Sequence, residues 1–256
     1  MNDTPLKTDL QCNGRLLRLC LARPKANIVD APMIAALLAA LDKSSEAPEL
    51  AAILLHAEGP NFSFGASVAE HMPGQCREML QVFHRLIMAL VSFPLPILVA
   101  VRGQCLGGGM ELALAGNLLF AAPDARFGQP EIHLGVFAPA ASCLLPERIG
   151  YAAAEDLLLS GRVIPAAEGF RLGLVTELHE LPEDAALAYF RRELEPKSTF
   201  ALRHALWAAR HDLAGRIQEK LAAVERRYLD ELMTGHDPSE GLTAFLEKRR
   251  PAWKHC

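Results

Sequence analysis

Ile97-Leu-Val-Ala-Val-Arg-Gly-Gln-Cys-Leu-Gly-Gly-Gly-Met-Glu-Leu112 is the stretch on which the reading of this chain turns. Ile97 to Val101 is an apolar, β-branched run of the kind that forms a buried strand, and Gly103 lets the backbone turn at its end. Gly107, Gly108 and Gly109 then leave the peptide groups unshielded. Met110 to Ala115, apolar apart from Glu111, reads as the first turns of a buried helix. Such a junction gathers unpaired N–H groups and the positive helix end at one spot suited to an anion, with an acid in the first turn beside it. The same glycines could instead serve only close packing of strand on helix, with Glu111 completing the helix dipole at a solvated edge.

Working outward, the rest of the chain alternates strands and helices. Toward the N-terminus, Leu17 to Leu21 alternates as a strand ending at Arg23-Pro24, followed by the loop 24–27. Asp30 and Pro32 open a helix to Leu41, and Leu50 to Leu55 is a second strand closed by Gly59-Pro60. A glycine-bearing loop, Asn61 to Ser67, leads to a helix from about Gln75 to Val91. Beyond the junction, Leu118 to Ala122 reads as a strand, Tyr151 to Leu159 as a helix and Leu174 to Leu178 as a last strand. Phe137 to Ser142 shows no strong propensity. After Leu181-Pro182 the segments 183–195, 199–212, 214–233 and 239–248 all look helical. The expectation is an α/β core over residues 1–195 and an all-helical extension over 196–256.

Composition bounds the partners. The 256 residues carry a net charge of −4, with 51% hydrophobic and 22% charged residues, so the chain has the make-up of an ordinary soluble globular protein. An acidic balance with only short basic clusters gives no nucleic-acid footprint. The six cysteines form no CxxC pair or zinc-like spacing and read as reduced core residues. Met1 to Leu10 lacks a secretory apolar stretch. The apolar run Leu86 to Val101 is shorter than the ~20 residues of a membrane span and contains Pro94 and Pro96. A cytoplasmic protein without membrane contact is expected.

Several familiar motifs are missing. Gly107-x-Gly109 lacks the third glycine of a dinucleotide fingerprint, since Leu112 takes its place, and Asp124 comes too early for a ribose contact. The sequence has no P-loop, HExxH or GxSxG motif, and His56 and His84 read as satisfied core or surface residues. Glu131, in Phe127-Gly-Gln-Pro-Glu-Ile132, is a second acid in an odd setting, fixed by Pro130 and followed by an apolar residue. Taken singly it reads as a loop-end cap. Two acids beside one anion-binding backbone would suit proton transfer next to a developing oxyanion.

Three motifs in order, the glycine junction, Phe127 to Gly135 and Glu240-Gly-Leu-Thr-Ala-Phe-Leu-Glu-Lys-Arg249, resemble the enoyl-CoA hydratase/isomerase (crotonase) family from about Leu17 to Trp253. The resemblance implies a crotonase-like spiral of ββα repeats with a C-terminal helical extension, assembly as a trimer or dimer of trimers, and an acyl-CoA thioester substrate. It implies an oxyanion hole from the backbone N–H groups of Gly108 and Phe64, and catalysis by Glu111 and Glu131 acting on one water. Coenzyme A would be held by Arg23, Lys25 and Ala26, by Phe62 and Ala66, and by Lys248, with Phe137 at the acyl group. No metal or redox cofactor is required, because coenzyme A belongs to the substrate.

Two departures from the family pattern surround the acyl group. Phe64-Gly-Ala-Ser67 stands where Ala-Gly-Ala-Asp is common, and Phe137-Ala-Pro-Ala-Ala-Ser-Cys143 stands where a proline and Gly-Gly-Thr are common. Together they resemble a subgroup that hydrates a six-membered cyclic dienoyl thioester in anaerobic aromatic degradation. A general short-chain enoyl-CoA hydratase is the alternative. A silent scaffold or RNA binder fits poorly with an acidic chain that keeps both glutamates.

Overall fold

The computed structural model describes residues 4–72 and 74–256; of the N-terminal stretch read above, Met1 to Asp3 lie outside it. The strands are β1 (Leu6–Gln11), β2 (Leu16–Leu21), β3 (Ala52–Ala57), β4 (Ile97–Val101), β5 (Gln104–Leu106), β6 (Leu118–Ala121), β7 (Arg126–Gly128), β8 (Val163–Pro165) and β9 (Glu177–Leu178). The helices are α1 (Ala31–Ser45), α2 (Cys76–Val91), α3 (Gly108–Ala115), α4 (Pro139–Ile149), α5 (Tyr151–Ser160), α6 (Ala166–Arg171), α7 (Pro182–Tyr189), α8 (Thr199–Asp230) and α9 (His236–Leu246).

Six strands form one sheet in the order β1-β2-β3-β4-β6-β9, parallel except for β1. Every residue of β3 and β4 is buried, as expected of parallel strands covered on both faces. One face meets the large core that includes α1, α2 and α3. The other is covered by Ala185 and Ala186 of α7 with Phe190 and Leu194 of the π-helical turn after it.

A smaller sheet, β5-β7-β8, is fed by chain leaving the first. At Gly103, φ +55°, the chain passes from β4 to β5, and a side chain there would collide with the Pro60 carbonyl. The path from β6 to β7 repeats the move. Thus β4-β5-α3 and β6-β7-α4 are successive strand-strand-helix units, and their strand ends carry the residues of interest.

Several local expectations need correction. Leu6–Gln11 is a strand that the sequence does not advertise, because as an edge strand it keeps only Leu6 buried. The second strand begins at Ala52 rather than Leu50, and β9 is only two residues long. The 199–212 and 214–233 segments are one 32-residue helix, α8. Gly215 does not break it; a glycine inside a helix costs only about 1 kcal/mol, which packing elsewhere offsets. The segment around Phe137 becomes helical at Pro139, which supplies a first-turn proline to α4. Among the described residues, no helix is long and apolar enough to cross a membrane.

Candidate active site

Helix α3 is buried along all eight residues, so Glu111 is carried into the interior by its apolar neighbours and is only 4% exposed. The reading of Glu111 as an acid at a solvated edge is therefore wrong. Its Oε1 accepts a 2.7 Å hydrogen bond from the N–H of Ala141, in the first turn of α4. Burial pushes the Glu111 carboxyl above the usual carboxylate range, against the stabilising N–H groups of Ala141 and Ala140.

Glu131 lies in the short 3-10 turn Pro130–Leu134, directly after β7. The residue as a whole is half-buried, but its Oε2 is shut away from solvent and has no hydrogen-bond partner among the described residues. Its Oε1 lies against Gly107, where any side chain would collide with it. Burial raises the Glu131 pKa, and the charge of Glu111 raises it further. Two buried carboxyls that resist joint ionisation form a set able to hold a proton on one and a negative charge on the other.

Between them lies the glycine junction. Gly107 has φ +50° and donates its N–H to Gly128, which leaves Gly108 as the first residue of α3. An N–H in the first turn of a helix has no intrahelical acceptor. A Cβ added at Gly108 would sit 3.0 Å from the Ala66 nitrogen, so these two backbone segments are in close contact.

Phe64 does not supply the partner donor expected of it. Its N–H is committed to the Ala26 carbonyl at 2.9 Å, and the Gly65 N–H is taken by Ser63 Oγ at 3.1 Å. The Ala66 N–H, with no acceptor among the described residues, is the one left beside Gly108. Counting donors along the loop, rather than matching residue types, would have been needed to see this.

These groups face a cavity of about 680 Å³, lined by Phe64, Gly65, Ala66, Gly107, Gly108, Glu111, Glu131 and Phe137 among others. The lining also takes in Met79, Leu80 and Phe83 from α2, which the sequence did not single out, and Leu242, Phe245 and Leu246 from α9, which lie in the Glu240–Arg249 motif but carry no site role in the sequence reading.

The expected coenzyme A contacts are only partly brought together. The loops 23–27 and 61–66 are joined through buried Asn27, whose side-chain amide donates to the carbonyls of Glu58 and Asn61, and through Asn61 to the Lys25 carbonyl. Arg23 is paired with Asp30 at 2.5 Å, whereas Lys25 is exposed. Phe62 must be corrected: its side chain is completely buried in the core and is not available to a ligand. Lys248 is exposed in a left-handed turn two residues beyond Leu246, outside the cavity lining.

The fold pairs a parallel sheet with two buried carboxyls beside a glycine junction, and the enoyl-CoA hydratase/isomerase family matches residues 12–256. The chain belongs to that family. It is 62% identical over 252 residues to cyclohexa-1,5-dienecarbonyl-CoA hydratase of Thauera aromatica, with 98% of each chain covered. A probable enoyl-CoA hydratase of Bacillus subtilis is 32% identical, covering 92% of this chain and 94% of that one. Among solved structures, a carnitinyl-CoA hydratase from Mycobacterium avium superimposes with a TM-score of 0.85 at 26% identity over 99% of both chains.

Proposed function

We propose that this chain is a hydro-lyase that adds water to cyclohexa-1,5-diene-1-carbonyl-CoA, giving 6-hydroxycyclohex-1-ene-1-carbonyl-CoA in anaerobic benzoyl-CoA degradation. The observation that carries the reading is the pair of buried carboxyls, Glu111 and Glu131, flanking the Gly107–Gly108 backbone in one cavity. The 62% identity to the Thauera protein supports the choice of acyl group.

In this reading the thioester oxygen accepts hydrogen bonds from the N–H groups of Gly108 and Ala66. Water attacks the β-carbon, C2, while one glutamate takes its proton. The electron pair moves through the thioester as a dienolate, held by the two N–H donors; a single such donor is worth about 3 kcal/mol in other enzymes. The other glutamate delivers a proton to the far end of the dienolate, C5. This 1,4-addition keeps a double bond conjugated with the thioester. The site residues need no cofactor for these steps.

The remaining assignments rest on the same reading. Ala26, Lys25 and Arg23 would meet the nucleotide end of coenzyme A, with Lys248 reaching it from beyond α9. The helical region over 196–256 would cover the thioester and mediate assembly into a trimer or dimer of trimers. The exposed Phe200 and Trp207 on α8 support a partner surface there. A cytoplasmic location goes with this assignment.

The test is hydration in deuterated water of the cyclic diene and of crotonyl-CoA, with the label located by NMR. The proposal expects deuterium at C3 of the hydroxylated ring, which is C5 of the diene. Label at the α-carbon, or rapid hydration of crotonyl-CoA with none of the diene, would instead favour a general short-chain enoyl-CoA hydratase, the broader description that the Bacillus relative carries.

A further inference from the structure

One wall of the cavity is set from a distant part of the chain. Phe137 lines the cavity, and the ring of Tyr228 meets it edge-on, with centroids 5.1 Å apart and planes at 77°. Tyr228 is 1% exposed and comes from the last third of α8. It does not itself line the cavity.

We propose that Tyr228 is the positioning residue that sets acyl selectivity, by pinning Phe137 as a flat wall beside the two carboxyls. The inference rests on the hydratase reading above and adds a residue to it. Edge-to-face contact favours one relative orientation of two rings, so a half-buried Phe137 backed by Tyr228 is held in one rotamer. Phe137 is also tied to the chemistry through the backbone. It immediately precedes Ala138, the N-cap of α4, and the same first turn supplies the Ala141 N–H to Glu111. The wall and the donor that holds the Glu111 carboxylate therefore belong to one short segment, and their separation is fixed when α4 forms. A flat six-membered ring suits a rigid planar wall, whereas a linear acyl chain does not depend on one.

The Tyr228 hydroxyl separates ring from polar group. It is buried with the Cys76 thiol as its near polar neighbour, and burial beside Cys76 and the two glutamates keeps its proton on. Tyr228→Phe therefore removes at most a weak contact with the Cys76 thiol and preserves the ring. Tyr228→Leu removes the ring and frees Phe137 to turn into the vacated space.

The experiment measures kcat/KM for the cyclic dienoyl-CoA and for crotonyl-CoA in the wild type and both variants, with thermal melts to establish folding. Tyr228→Leu should shift the ratio toward crotonyl-CoA by about 10-fold or more, while Tyr228→Phe should hold it within about twofold. A folded Tyr228→Leu enzyme with an unchanged ratio overturns the proposal. So does a Tyr228→Phe enzyme that shifts as far as the leucine variant, because the hydroxyl rather than the ring would then carry the effect. Should Tyr228→Leu not fold, Phe137→Leu is read by the same ratio, and no shift there removes the wall. A wild-type enzyme that hydrates neither substrate refutes the hydratase reading instead, independently of Tyr228.

Discussion

The backbone N–H of Ala141 donates a 2.7 Å hydrogen bond to Oε1 of Glu111, thirty residues earlier in sequence, and so joins α4 to α3. One carboxylate oxygen is thereby held by the first turn of α4, where the helix dipole favours negative charge. Glu131 is held differently: its Oε2 is buried and has no hydrogen-bond partner among the described residues. The two acids thus sit in different environments, the arrangement that divides acid from base in a shared site.

Glu111→Gln and Glu131→Gln should each lower turnover by at least ~100-fold, the lower end for loss of a general acid or base. Both changes are nearly isosteric, so folding is expected to survive. Steady-state kinetics decide each residue separately, and a folded variant that keeps more than half its activity removes that residue from the chemistry. The double variant should lose little beyond the worse single one, because the pair acts as a unit.

Stability should report the same two carboxyls. Each has a folded pKa above its ordinary value, so the native state binds protons more tightly than the unfolded chain. Stability from these groups is therefore greatest at acid pH and declines as pH climbs from the ordinary carboxylate range through the raised values. Melting curves of wild type and Glu131→Gln across that window are expected to diverge in favour of the variant as pH rises. A constant difference in Tm would show that Glu131 is not held protonated by the fold.

Gly108→Ala tests the oxyanion site. The added Cβ would lie 3.0 Å from the Ala66 nitrogen and 3.1 Å from Ala66 Cβ, tighter than ordinary contact, so the two donors must move apart. The expected result is a loss of about 100-fold or more in kcat with a smaller change in KM. Phe64→Leu is the contrast: the Phe64 N–H is bonded to Ala26, so only the cavity wall changes. If the leucine variant loses as much kcat as the alanine one, the loss at Gly108 reports the cavity wall and not the backbone donors.

Truncation after about Pro196 removes α8 and α9, and with them Tyr228 and the cavity-lining Leu242, Phe245 and Leu246. The shortened chain should fail to assemble and should lose affinity for coenzyme A esters. Light scattering and ester binding check the two losses. Lys248→Ala is milder and should weaken ester binding by about 1 kcal/mol at most, as an exposed ion contact does, without altering turnover of bound substrate.

The sequence by itself determined the strand–glycine–helix junction, most of the buried strands, the helical C-terminal region and both glutamates. These are local signals: apolar runs, glycines and capping residues act on the few residues around them. The exposed edge strand β1 and the small-residue start of α4 carry too little apolar pattern to be seen that way. Tertiary structure alone decided that Ala141 orients Glu111, that the Phe64 N–H is spent on Ala26 while Ala66 stands beside Gly108, that Phe62 is in the core, and that Tyr228 backs Phe137. Each of these depends on which distant segment satisfies a buried donor, acceptor or ring face. That pairing is fixed only when the sheets and helices pack, because most buried polar groups then find a partner from whatever chain lies against them.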